Sequence, residues 1–174
     1  MTWCHNSILS YIVTTLCSRK PDHLQIYSDL PGLDVNGGSI PPNIKVTSSR
    51  PDLVIIDVST TPNTVYLYEL TVCFEKQGGF EAAHTRKTER YSALAFDLEE
   101  KGYSVRNWPF KIGSRGYLSK ENKTYLSELH TICKPTVKFS KFCENISKVS
   151  LLCSYSIYLS RNDPWTKTTL LTPV

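Results

Sequence analysis

A chain of 174 residues, 40% hydrophobic and 21% charged, with eight glycines and ten prolines, has the make-up of one folded domain and excludes wholesale disorder. Its formal charge of +4 fits a nucleic-acid partner but is far too small for a protein that coats DNA. No segment approaches the ~18 apolar residues of a membrane span. The early apolar run from Ile8 to Leu16 is broken by Ser10, Thr14 and Thr15 and lacks the basic leader and cleavage site of a secretory signal. The six cysteines form no CxxC pair and have no histidines at zinc-finger spacing, so they read as small buried apolar groups in a reducing, intracellular setting.

Residues 6–18 place Ile8, Leu9, Ile12, Val13 and Leu16 on one side of a helix, capped by Asn6 or Ser7 and stopped at Pro21. The segment 28–50 is dense in Pro, Gly, Asn and Ser and reads as a long loop, ending in a short strand at 44–47. Two β-branched runs follow, 52–58 and 65–72, joined by turn chemistry at 59–64; both are apolar on each face, as central strands are. A helix is expected over 80–100, ended by Lys101-Gly102, then a strand over 103–112 and a turn at 113–116. Helices over 120–133 and 140–159 complete a single domain of residues 1–160 with its core at about 44–118, and the tail 161–174 reads as flexible. The class is α/β: a small mixed sheet flanked by helices.

The chemistry is concentrated in the hairpin and the helix after it. If Val58 faces Val65, Asp52 stands opposite Thr71, and Asp52, Glu69 and Thr71 project from one sheet face. Glu69 is then the diagonal neighbour of Asp52, near enough for both acids to hold one Mg²⁺. In the next helix Phe80, Ala83, His84, Lys87, Tyr91, Leu94, Ala95 and Leu98 fall on one stripe, which puts Lys87 among apolar neighbours. A lysine is seldom buried without a partner, and the two acids would supply one. Two acids, a divalent metal and a lysine suit phosphodiester hydrolysis. The bland readings are that Asp52 starts a strand, that Lys87 reaches solvent along its stem, and that His84 is a core histidine before it is a ligand; His5 is open in the same way.

Arg50-Pro51-Asp52, sixteen residues, then Glu69-Leu70-Thr71, followed by Lys87-Thr88-Glu89-Arg90-Tyr91, resembles the PD-(D/E)XK nuclease signature. The ordered set resembles the restriction-enzyme-like endonuclease domain at the C-terminus of site-targeting non-LTR retrotransposon proteins, and Trp3-Cys4-His5-Asn6 resembles the segment after their zinc knuckle. The resemblance implies that Asp52 and Glu69 bind Mg²⁺ or Mn²⁺ and that Lys87, supplied from the helix, replaces the strand lysine whose place Thr71 takes. It also implies support from Tyr91, nicking of target DNA for integration, a nuclear location, and reverse transcriptase and zinc-knuckle modules as partners in a larger polyprotein. Arg86, Arg90 and Arg115 are candidate phosphate contacts. The competing reading is a catalytically inactive remnant that keeps the fold and binds DNA or protein.

Overall fold

The computed structural model describes residues 2–32, 39–73 and 91–160. Among them the chain runs α1 (Thr2–Cys17), β1 (Leu24–Ser28), β2 (Leu53–Asp57), β3 (Thr64–Cys73), α2 (Ser92–Glu100), β4 (Ser104–Gly113), α3 (Lys120–Cys133) and α4 (Phe139–Leu159). The strands form one sheet in the order β1-β2-β3-β4, antiparallel except for the parallel pair β3–β4. This is a mixed α/β domain with a four-stranded mixed sheet flanked by helices.

Strand alternation divides the core in two. Leu53, Ile55, Tyr68, Leu70, Trp108, Phe110 and Ile112 face α1, α3 and α4. Val54, Ile56, Val65 and Leu67 face α2, through Leu94 and Leu98, and the loop residues Ile40 and Ile44. Every residue of β2 is buried, as its unbroken apolar run requires of a central strand. Trp108 fastens α3 to the sheet: its ring stacks on Tyr125 at 5.6 Å and meets Tyr68 edge-on at 5.1 Å. Ser119 caps α3 by accepting from the Asn122 N–H, and Lys134 ends it in the left-handed conformation.

Four expectations need correction. The first helix starts at Thr2, so Asn6 and Ser7 lie inside it and cap nothing; the Ser7 hydroxyl donates back to the Trp3 carbonyl. The loop expected from residue 28 starts after it, because Ser28 is the last residue of a further strand, β1, and pairs with Leu53. No strand forms at 44–47: Ile44 and Lys45 both bond back to the Pro41 carbonyl in a turn, and Val46 is 84% exposed.

The fourth correction concerns register. Asp57, not Val58, begins the pairing, opposite Thr64. The Asp57 carboxylate accepts from both the N–H and the hydroxyl of Ser59, and the Val58 N–H turns to the His23 carbonyl, so the connection starts one residue early. The net slip is two positions, an even number, and each side chain keeps its expected face. Of the helix expected over 80–100, α2 is the end; residues 80–90 and the tail 161–174 lie outside the described residues.

All six cysteines are thiols. Burial holds Cys133 up to about 12 and pushes Tyr68 well above the ordinary phenol range. Such groups titrate in the unfolded chain before they do in the folded one. Unfolding free energy is therefore expected to be level below pH 9 with respect to Cys133, and to fall by about 1.4 kcal/mol per pH unit for that thiol until its folded value is passed. Urea melts between pH 7 and pH 11 measure that slope; a midpoint unchanged across the range contradicts it.

Candidate functional site

Asp52 and Glu69 lie at one end of the sheet, where β2 starts and where β3 and β4 near their ends. Both are buried, at 9% and 3% exposure. One step beyond the paired Leu53 and Tyr68 sets Asp52 directly opposite Glu69, closer than the diagonal relation expected from sequence. Pro51 ends the ladder here, since it has no N–H to offer. The Asp52 carboxylate takes over: its Oδ2 accepts from the Leu70 N–H at 2.7 Å, so the side chain does the work of the missing backbone carbonyl.

The same oxygen lies 3.0 Å from Nε2 of His5, on the first turns of α1. A carboxylate only accepts, so Nε2 carries the proton of that bond. His5 Nδ1 in turn is 3.0 Å from Asn6 Oδ1. The Asp52 carboxylate therefore joins three elements, β2, β3 and α1. Leu9 and Ile12 of α1 line a small apolar pocket beside it with Leu53, Tyr68 and Leu70.

The main chain leading into Asp52 is clamped on every residue. The Tyr91 hydroxyl donates to the Arg50 carbonyl at 2.9 Å, and the Ser39 hydroxyl donates to the Pro51 carbonyl. The Asp52 carbonyl accepts from the Ser28 hydroxyl at 2.7 Å and from the Asp29 N–H at 3.1 Å. The Arg50 guanidinium pairs with the Asp29 carboxylate. This degree of fixation is what a site needs when its side chains must stay within fractions of an ångström.

Tyr91 is thus a support of Asp52 through the backbone two residues before it, and it stands at the N-cap of α2 rather than within a helix turn. Tyr91→Phe is expected to cost about 1 kcal/mol, one part-buried hydrogen bond, and to lower the Tm by roughly 2–4 °C. Tyr68 gives the internal control. Its buried hydroxyl has no hydrogen-bond partner among the described residues, so Tyr68→Phe is expected to leave the Tm unchanged or raise it slightly. Thermal melts of the two variants separate the cases; equal losses would refute the difference.

Thr71 is half-buried on β3, two residues past Glu69, and Arg115 is exposed in the turn after β4. Lys87, Arg86, Arg90 and His84 lie outside the described residues. Sequence reasoning left His5 undecided and passed over Ser28 and Ser39. The signal for His5 was its place one turn before Leu9, on the side of α1 that packs against the sheet. Nothing local marks the two serines, whose partners are 24 and 12 residues away.

Two buried carboxylates at facing strand positions disfavour one another unless a cation stands between them. Their donors are all oxygen, which suits a hard divalent ion such as Mg²⁺. Among the described residues no group of three or more His, Cys, Asp and Glu side chains gathers to hold a metal ion, so the pair would leave most of the ion's coordination to water or to a substrate. Among those residues, too, no helix is long and apolar enough to cross a membrane. No protein-family model matches the chain, and no curated protein matches it.

Proposed function

We propose that this chain is a restriction-endonuclease-like DNA nicking domain that depends on Mg²⁺ or Mn²⁺ and serves the integration of a non-LTR retroelement. The observation that carries the reading is the buried Asp52 and Glu69 in facing positions at one end of the sheet, with residues 50–52 tied down by Tyr91, Ser39, Ser28 and Asp29. Asp52 and Glu69 would hold the metal ion. Mg²⁺ keeps several waters and shares phosphate oxygens, so two carboxylates are its ordinary protein complement. When bound, the ion supplies an activated water and stabilises the charge that grows on the phosphate.

The residues of the chain have separate tasks. His5 and the Leu70 N–H hold one oxygen of Asp52, which fixes the direction of the other. Lys87 is the proposed base or charge-neutralising group, and Arg86, Arg90 and Arg115 are proposed phosphate contacts, adding affinity without sequence choice. Reverse transcriptase and zinc-knuckle modules are the proposed companions, in the nucleus, within a longer polyprotein.

Thr71 favours a second reading. In nucleases of this kind a lysine usually stands two residues beyond the second acid, and its loss is what an inactive DNA-binding remnant would show. A supercoiled-plasmid nicking assay with Mg²⁺ or Mn²⁺ decides between them, run on the natural sequence, Glu69→Ala and Lys87→Ala. Nicking by the natural sequence and its loss in both variants supports the enzyme. Equal nicking by all three refutes the assigned site, and DNA retention without nicking supports the remnant.

A further inference from the structure

The following inference rests on the nuclease reading above and deepens it. The parallel register of β3 and β4 pairs Leu70 with Phe110, Thr71 with Lys111 and Val72 with Ile112. Phe110 and Ile112 belong to the core beneath α1, α3 and α4. Lys111 falls between them and so projects from the opposite face, the one that carries Glu69 and Thr71. It is 8% exposed. A lysine on a strand between two core residues, and that deeply covered, is uncommon.

Its backbone is fixed as firmly as that of Asp52. The Lys111 N–H donates to Asn122 Oδ1 at 3.2 Å and its carbonyl accepts from Asn122 Nδ2 at 2.5 Å, so both its main-chain groups are held by one fully buried amide of α3. Adjacent strands are about 4.8 Å apart, less than the reach of a four-carbon stem with its ammonium. A lysine at position 111 thus commands much the same space as a lysine at position 71.

We propose that Lys111 brings to the Asp52 and Glu69 pair, from β4, the cation that Thr71 does not bring from β3. From that face its four-carbon stem has the reach to bring the ammonium to the position where a phosphate shared with the acids would sit. There it donates hydrogen bonds to a non-bridging oxygen and offsets the charge that grows on it. No bond to the nitrogen forms or breaks. Lys87 keeps its proposed role.

The test uses the full chain with Lys111→Met, Lys111→Arg and Glu69→Gln, each checked for an intact fold by its melting curve. Plasmid nicking with Mg²⁺ is expected to fall about 100-fold in Lys111→Met and to recover in part in Lys111→Arg, with DNA binding changed by less than about threefold. A second readout is the affinity for Mg²⁺ without DNA, by calorimetry: a cation beside the acids opposes the metal, so Lys111→Met is expected to bind Mg²⁺ about threefold or more tighter than the natural sequence. Full nicking by Lys111→Met beside loss in Glu69→Gln overturns this assignment and leaves the nuclease reading standing. A natural sequence that does not nick sinks the nuclease reading by itself. The Mg²⁺ affinity then decides Lys111: a value unmoved by Lys111→Met overturns the assignment, and a tightened one keeps Lys111 as the cation of the acid pair.

Discussion

Asparagine in place of Asp52 is expected to reduce metal-dependent nicking by about a thousandfold while leaving the fold close to intact. The two effects separate because the carboxylate has two jobs. One oxygen accepts from the Leu70 N–H and from His5, and an amide oxygen still accepts both bonds. What asparagine lacks is the negative charge that would hold the cation, and loss of several kcal/mol of charge stabilisation corresponds to about three powers of ten in rate. Asp52→Ala differs in the other quantity. It strands the Leu70 N–H in a buried place, at a cost of about 1–3 kcal/mol, and its Tm is expected to fall below that of Asp52→Asn. Nicking rates and melting curves of the two variants test the pair together. Equal melting temperatures would show that the Leu70 bond adds nothing, and undiminished nicking by Asp52→Asn would remove Asp52 from the site.

The largest effect on stability is expected at Gly116, in the turn after β4. Its φ is +86°, in the region that side chains rarely adopt, and a Cβ built there would lie 2.5 Å from the Ser147 carbonyl oxygen of α4. The neighbour is backbone in the middle of a helix, so it has little room to give. Gly116→Ala is expected to cost about 2–4 kcal/mol, from the left-handed conformation and the overlap together. At roughly 2–4 °C of Tm per kcal/mol for a chain of this size, the loss is close to ten degrees. A circular-dichroism melt measures it, and a drop of only a degree or two would mean that the turn and α4 move apart freely.

Periodicity made much of this fold legible. The apolar run of β2, the pattern of β3 and the spacing in α3 and α4 each point to one structure, because the burial that shapes them is local in sequence. β1 escaped because Leu24–Ser28 has only five residues and gains its burial from β2, a partner far along the chain. The register of the hairpin was misjudged by the side chain of Asp57, whose bonds to Ser59 compete with strand pairing. Even so, Asp52 and Glu69 stayed on a common side, since a two-position slip preserves the alternation.

At the site, the acids were legible because charge within an apolar strand is costly and so conspicuous. His5 was not, for its meaning lies in a contact across 47 residues. Lys111 sits in Trp-Pro-Phe-Lys-Ile-Gly, where a lysine reads as an ordinary strand residue until the parallel pairing sets it beside Thr71.

The clamp on the Arg50-Pro51-Asp52 segment bears on the order in which the molecule folds. Its holders, Ser28, Asp29, Ser39 and Tyr91, come from before and after the segment, and Tyr91 is 41 residues downstream. The β2–β3 hairpin closes a short loop and is able to form early, whereas the clamp waits until β1 has docked and α2 has returned across the sheet. Asp52 is then expected to reach its fixed direction only after the hairpin has closed, so the geometry of this carboxylate reports on the finished fold and not on the hairpin alone.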